Sequence, residues 1–489
     1  MEKKDFSVIT RRQFIRRAAC AAVGTAAMTS AIRDLRLMNA AVAQSNITDY
    51  KALVCIFLAG GNDSNNLILP TLQSEYDNYA AIRTPVLALP QSAILPVTTL
   101  NSDGRTYGLH PACPELQTLF GEGKLAFLFN AGTLVYPITR AQYLAGGAKP
   151  PQLFSHADQV TQWQTSIPDQ PPLTGWGGRC ADLLNSVQPG APISLSVSLA
   201  GANTFEVGNI VSQYSVSTSG AISLSGVTGA RLAALTNILG LPYPNLQAQA
   251  YAGVAGHSIN TGSLLNTAIT NTAGNAYWTN SFPLTVTTPV SGAKFGSSLA
   301  PQLQMIARLI EAGVRAAGSP TNGFGMKRQI FFCQVGGYDL HSGQTPGPGS
   351  TDVGSHANLL AELSQSMYAF QRSMEQLEPL YPNLSKSVTT FTASDFGRTF
   401  PSNGQGSDHG WGSHHLIMGG AVKGQKTYGT FPTLTVNGPD DTNTGRWIPT
   451  TAIDQYFATI ATWFGVDNSN LATVFPNIGR FATANLGFV

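Results

Sequence analysis

Three short runs of consecutive apolar, β-prone residues stand out from the polar, glycine-rich remainder of this 489-residue chain. They are residues 52–59 (ALVCIFLA), 330–335 (IFFCQV) and 388–393 (VTTFTA). Runs with little polar alternation predict strands buried on both faces of a parallel sheet. Further strand candidates are 125–129, 193–199 and 416–418. Between the strands, Leu360, Leu363, Met367, Phe370, Met374 and Leu377 recur by three and four, which predicts an amphipathic helix with a core-facing stripe. Segments 299–317 and 453–464 read the same way. Alternating strands and helices predict a doubly wound α/β layer.

Residues 200–298 break the alternation. They are rich in Ser, Thr, Asn, Gly and Ala and predict an insertion or cap of hairpins and loops, with some helix around 230–239. Such a cap would act as a lid over a substrate site or as a plain surface excursion. Residues 342–355 (SGQTPGPGSTDVGS) form a Pro/Gly loop beside His341.

The three principal runs share one kind of ending. The first leads into Gly60-Gly61-Asn62-Asp63, the second into Gly336-Gly337-Tyr338-Asp339-Leu340-His341, the third into Ser394-Asp395-Phe396-Gly397-Arg398. Ligands of open α/β sheets bind beyond the carboxyl ends of strands, so these three Asp are expected on one rim. An Asp after a strand is also an ordinary turn or cap residue, and the trio, not any single one, carries the functional reading. Residues 392–424 then crowd two Asp, an Arg and His409, His414 and His415, three of the chain's eight histidines, onto a Gly-rich stretch. Carboxylates and imidazoles on such loops suit a divalent metal site; zinc, manganese, iron and calcium all stay open.

The N-terminus changes the charge picture. Residues 10–16 (TRRQFIR), an Ala-rich apolar run over 18–31 and Ala41-Val42-Ala43 read as a twin-arginine type signal cleaved after residue 43. The run is too short and Ala-rich to span a bilayer, so no stable membrane anchor is expected after cleavage. Removing eight basic and three acidic residues takes the formal charge from +2 to −3. No basic patch argues for nucleic acid. Cys55, Cys113, Cys180 and Cys333 are widely spaced with no CxxC, which argues against a thiolate metal site and leaves one disulfide open. HExxH, GxSxG and a compelling carboxylate pair are absent, which argues against a peptidase or a glycosidase.

Ser155 lies in the run 153–159 (LFSHADQ) that precedes a plausible helix start at 160–163 (VTQW). There it is either an ordinary N-cap or a nucleophile near a helix N-terminus, and His156 beside it is a ligand, a base or a capping neighbour.

GGNDS (60–64), SHADQ (155–159), GWGGR (175–179), GGYDLH (336–341), SDFGRT (394–399), SDHGWG (407–412) and GGAVKG (419–424), behind a twin-arginine segment, resemble the exported bacterial family called domain of unknown function 1501. The resemblance runs in order through nearly the whole mature chain. It implies the alkaline phosphatase-like superfamily, with sulfatases and cofactor-independent phosphoglycerate mutases. That in turn implies a three-layer sandwich, a mostly parallel sheet between helices, over 44–489, with 200–298 as its Ser/Thr/Gly-rich insertion.

By motif, the resemblance implies metal binding by Asp63, Asp339, His341, Asp395 and His409, with His414 or His415 as rivals of His409. It places Ser155 at the nucleophile position. Arg398, if it points into the rim, would hold a phosphate or sulfate; otherwise it is a salt-bridge residue. Two departures stand out: Asp339 and His341 are spaced D-x-H where the superfamily has D-x-x-x-H, and Phe396 occupies a His position. The expectation is an exported protein, periplasmic or secreted, that uses one or two divalent ions to cleave phosphate or sulfate esters. Its partners would be the twin-arginine translocation machinery and a small anionic ester or polymer substrate. The alternative is a non-catalytic periplasmic metal-binding or assembly protein that keeps the fold.

Overall fold

The computed structural model describes residues 47–489, apart from 223, 225, 271, 273–280 and 319–321. The expected signal, 1–43, lies outside the described residues. Ten strands make the central sheet: β1 (Lys51–Leu58), β2 (Leu125–Gly132), β3 (Ser196–Ser198), β4 (Tyr214–Ser217), β5 (Gly220–Ala221), β6 (Arg328–Val335), β7 (Val388–Ser394), β8 (Ser413–Met418), β9 (Thr427–Tyr428) and β10 (Thr451–Ala452). Their order is β9-β2-β8-β7-β1-β6-β3-β4-β5, with β10 also on β2. β1 pairs in parallel with both β6 and β7, and β3 and β4 continue that direction. β8 runs against β7 and β2, and β5 runs against β4. The architecture is therefore mixed α/β with a largely parallel sheet between helices.

The apolar runs explain why these strands are central. Along β1, Ala52, Val54, Ile56 and Leu58 face one helical layer while Leu53, Cys55 and Phe57 face the other. Buried on both faces, such a strand cannot alternate apolar with polar. One layer contains α1 (Pro114–Gly121), α2 (Ala300–Val314) and α3 (Ser355–Gln376); the predicted stripe of α3 is wholly buried in it. The other contains α4 (His156–Thr165), α5 (Trp176–Leu184) and α6 (Ile453–Phe464), built around Trp163, Trp176 and Phe457.

The Ser/Thr/Gly-rich segment contains the expected helix, Ala230–Leu239, and a longer one, Leu246–Thr270, that the sequence pattern did not announce. Part of it joins the main body. β4 pairs with β3 to extend the sheet, and Leu265, Ala268 and Ile269 enter the core beside α2. The four described cysteines are buried and unbonded. Among the described residues no helix is long and apolar enough to cross a membrane.

Candidate metal centre at the strand ends

Register fixes the rim. Leu58 of β1 lies opposite both Val335 of β6 and Ser394 of β7, so the three strands stop level with one another. The segments beyond the three stops are therefore brought together. The chain turns sharply at Gly60 (φ 117°), where an added Cβ would lie 2.4 Å from the Asp339 amide nitrogen. Only glycine allows that approach. Gly60 N–H donates to Asp395 Oδ1 at 3.0 Å, tying the first ending to the third.

Three imidazoles converge beside Asp339, each held from behind by an acceptor. His156, on the first turn of α4, has Nδ1 2.7 Å from Asp395 Oδ2. His341 has Nδ1 2.9 Å from Asp408 Oδ1. His409 has Nδ1 2.7 Å from the Phe154 carbonyl oxygen. A carbonyl only accepts, so His409 Nδ1 carries the proton, and the carboxylates favour the same tautomer in the other two. A neutral ring held this way keeps its lone pair on Nε2.

The ε nitrogens lie close to Asp339 and, in one pair, to each other. His341 Nε2 and His409 Nε2 are 2.8 Å apart. Asp339 Oδ1 lies 3.2 Å from the first and 3.3 Å from the second. His156 Nε2 is 3.5 Å from Asp339 Oδ2, buried, and makes no hydrogen bond. One ligand atom from each of His156, Asp339 and His409 lies within 4.8 Å of the others. Two such acceptors repel unless a proton or a metal ion lies between them.

The electrostatics bear on which cation. Burial disfavours the Asp339 carboxylate, but the Arg398 hydrogen bond (2.8 Å) and charge outweigh it and hold its pKa below the usual range. Burial lowers the His409 pKa; the hydrogen bond to Phe154 opposes this, and His156, Arg398 and His341 add to it. A proton is therefore a poor occupant at His409. The Asp339 side chain is 46% exposed and that of His341 43%, so the cluster is open on one side. Phe396 walls the other, its ring 4.8 Å from His156 and 4.6 Å from His409.

The remaining expected site residues take other places. Asp395 does not face the cluster centre as a ligand; it is buried and anchors His156 and Gly60. Asp63 is buried behind the rim. Its Oδ2 is taken by Arg83 and Gln344, its Oδ1 by Asn65, and Arg83 is itself fully buried. Arg398 is not free to clamp a ligand, because its terminal nitrogens donate to Asp339, Gly60 O and Ser407 O. Ser155 precedes the first residue of α4, but its hydroxyl donates to Asp158 Oδ2 at 2.6 Å and accepts no helix backbone N–H.

His414 and His415 lie inside β8, whose alternation sends them to opposite faces. His414 stacks on Phe431 and accepts from Asn130 N–H; His415 packs on Trp163. Burial pushes both pKa values down to about 3. His156 and Asp408 complete the cluster. The signal for His156 was its place beside Ser155 just ahead of the expected helix, since a side chain at a helix start can reach a neighbouring strand end. Asp408, one residue before His409, had no signal apart from its neighbour.

Residues 299–475 match the family model described as a protein of unknown function, DUF1501. The matched segment contains Asp339, His341, Asp395, Arg398, Asp408 and His409, and it supports that family for this part of the chain. β1 and α4, with Asp63 and His156, lie outside it. No curated protein matches the chain.

Proposed function

We propose that His156, His341, His409 and Asp339 hold one divalent metal ion, and that the protein is an exported, metal-dependent hydrolase of phosphate or sulfate esters. The observation that carries the metal reading is the 2.8 Å separation of His341 Nε2 and His409 Nε2, with Asp339 Oδ1 within 3.3 Å of both. The unpartnered, buried Nε2 of His156 fits the same cation. Holding Nδ1 of each ring on a carboxylate or carbonyl is how metal-ligating histidines are usually oriented. Three imidazoles and a carboxylate suit zinc, iron or manganese; calcium takes oxygen ligands and fits poorly.

When bound, the ion supplies positive charge that polarises an ester oxygen. The chain's own residues do the rest: Arg398 fixes Asp339, Asp395 and Phe154 fix the rings, and Phe396 excludes water from one flank. The strand-end site on a largely parallel sheet supports an alkaline phosphatase-like reading of the fold. The Arg11-Arg12 segment supports export through the twin-arginine machinery to the periplasm or beyond.

A second reading, a non-catalytic metal-binding or assembly protein, is favoured by one observation. Ser155 and Arg398, the residues expected to attack and to clamp, are already engaged by Asp158 and by Asp339, Gly60 and Ser407. The test is hydrolysis of a panel of phosphate and sulfate esters by the mature protein, before and after chelation and with metal restored. Turnover lost on chelation and regained with metal supports the hydrolase, and Ser155→Ala then reports whether the hydroxyl takes part. No turnover by metal-loaded protein supports the binding reading.

A further inference from the structure

We propose that Arg446 is the residue that binds the tetrahedral oxyanion of a ligand at this rim, a phosphate or sulfate group; the inference rests on the metal reading above. Its guanidinium is fastened at two points, on the main chain of His409 and on the ring of Phe154. Nε donates to the His409 carbonyl oxygen at 2.7 Å, and the guanidinium carbon lies 4.2 Å from the centre of the Phe154 ring. Phe154 is also the residue whose carbonyl holds His409 Nδ1. It adopts φ 72°, a left-handed conformation unfavourable for a bulky side chain. That backbone accompanies two roles in one residue, since its carbonyl serves His409 while its ring lies under Arg446; such strain is concentrated at functional positions.

The loop bearing Arg446 is fixed as well. The carboxylate of Asp441, wholly buried, accepts the backbone N–H groups of Asn437, Asn443, Gly445 and Arg446. Arg446 is thus held at its main chain, at Nε and over an aromatic face. Its Nη1 and Nη2 make no hydrogen bond or ion pair with any described residue. The neighbouring buried arginines differ: Arg83 is engaged by Asp63, Thr399 and Phe400, and Arg398 by Asp339, Gly60 and Ser407.

A rigid guanidinium with both terminal nitrogens free presents a two-pronged donor that matches a pair of oxyanion oxygens. The rest of the rim carries Asp339, Asp395 and Asp408, which would repel an anion. A cation at the imidazoles and Arg446 together would reverse that field.

The experiment is calorimetric titration of inorganic phosphate, and in parallel of sulfate, into the mature protein and its Arg446→Met and Arg446→Lys variants, each assayed for bound metal and melting temperature. Losing charge-assisted hydrogen bonds should weaken phosphate binding roughly 10- to 100-fold in Arg446→Met. Arg446→Lys should recover part of it, with metal content and melting temperature unchanged. Equal affinity in wild type and Arg446→Met, or no binding of either anion by the wild type, overturns the proposal. Parallel loss of metal and anion in both variants also overturns it, because it marks a purely structural arginine. A protein that carries no metal overturns the metal reading and this inference with it, whereas a metal-loaded wild type that binds neither anion overturns the inference alone.

Discussion

Replacing Asp395 by Asn separates a residue that touches a metal from one that prepares its ligand. Asp395 Oδ1 accepts from Gly60 N–H at 3.0 Å and Oδ2 accepts from His156 Nδ1 at 2.7 Å. An amide has one oxygen for these two positions. Turned toward His156, its nitrogen forces the imidazole proton onto Nε2 and blocks the lone pair aimed at the rim. Turned toward Gly60, it sets two donors against each other. Such outer hydrogen bonds are worth roughly 10- to 100-fold in metal affinity, about 1.4–2.7 kcal/mol. The side chain is nearly isosteric, so the fold should persist. Competition with a chromophoric chelator measures the affinity, and circular dichroism checks the fold. A folded Asp395→Asn protein that binds metal within twofold of wild type would refute the reasoning.

The same geometry sets three further expected outcomes. Asp63→Asn leaves Arg83 charged and buried without its partner, which should cost about 3–5 kcal/mol in urea unfolding while the folded fraction keeps its metal; metal loss without destabilisation would instead make Asp63 a ligand. Burial opposes the Asp63 charge, but Arg83, His356 and Gln344 hold its pKa below the usual value, so its stabilisation is present above the ordinary carboxylate range and lost as pH falls through the lowered folded value. His415 is buried neutral with its pKa pushed from 6.5 to about 3, so stability should decline as pH falls from about 6.5 toward 3, and His415→Leu should flatten that limb of a pH-dependent melting profile with metal content unchanged; an unaltered limb would contradict this. Gly60→Ala forces a Cβ against the Asp339 backbone and should sharply weaken metal binding in a chelator competition; wild-type affinity would mean the rim tolerates the shift.

Much of the scaffold was legible because burial on both faces removes polar alternation. The runs at 52–59, 330–335 and 388–393 became adjacent strands, and the Gly-flanked residues beyond them met as level strand ends. Direction was not legible. Asp63 and Asp339 follow similar Gly-Gly turns, yet Asp63 points back to Arg83, twenty residues on, and Asp339 points out to the imidazoles. His414 and His415 read as part of a histidine-rich loop, but β8 starts at Ser413, three residues before the expected strand, and its alternation buries both. His156 required knowing that the start of α4 lies over the ends of β1 and β7. The helix at 246–270 was hidden by a Ser, Thr, Asn and Gly content that reads as loop.

Metal analysis of the purified protein, beside His409→Ala and Asp339→Ala, decides whether the rim holds an ion. One zinc, iron or manganese ion per wild-type chain is expected, with folded variants depleted of it. Folded wild-type protein with no metal after exposure to each ion, or variants that keep a full complement, would contradict it.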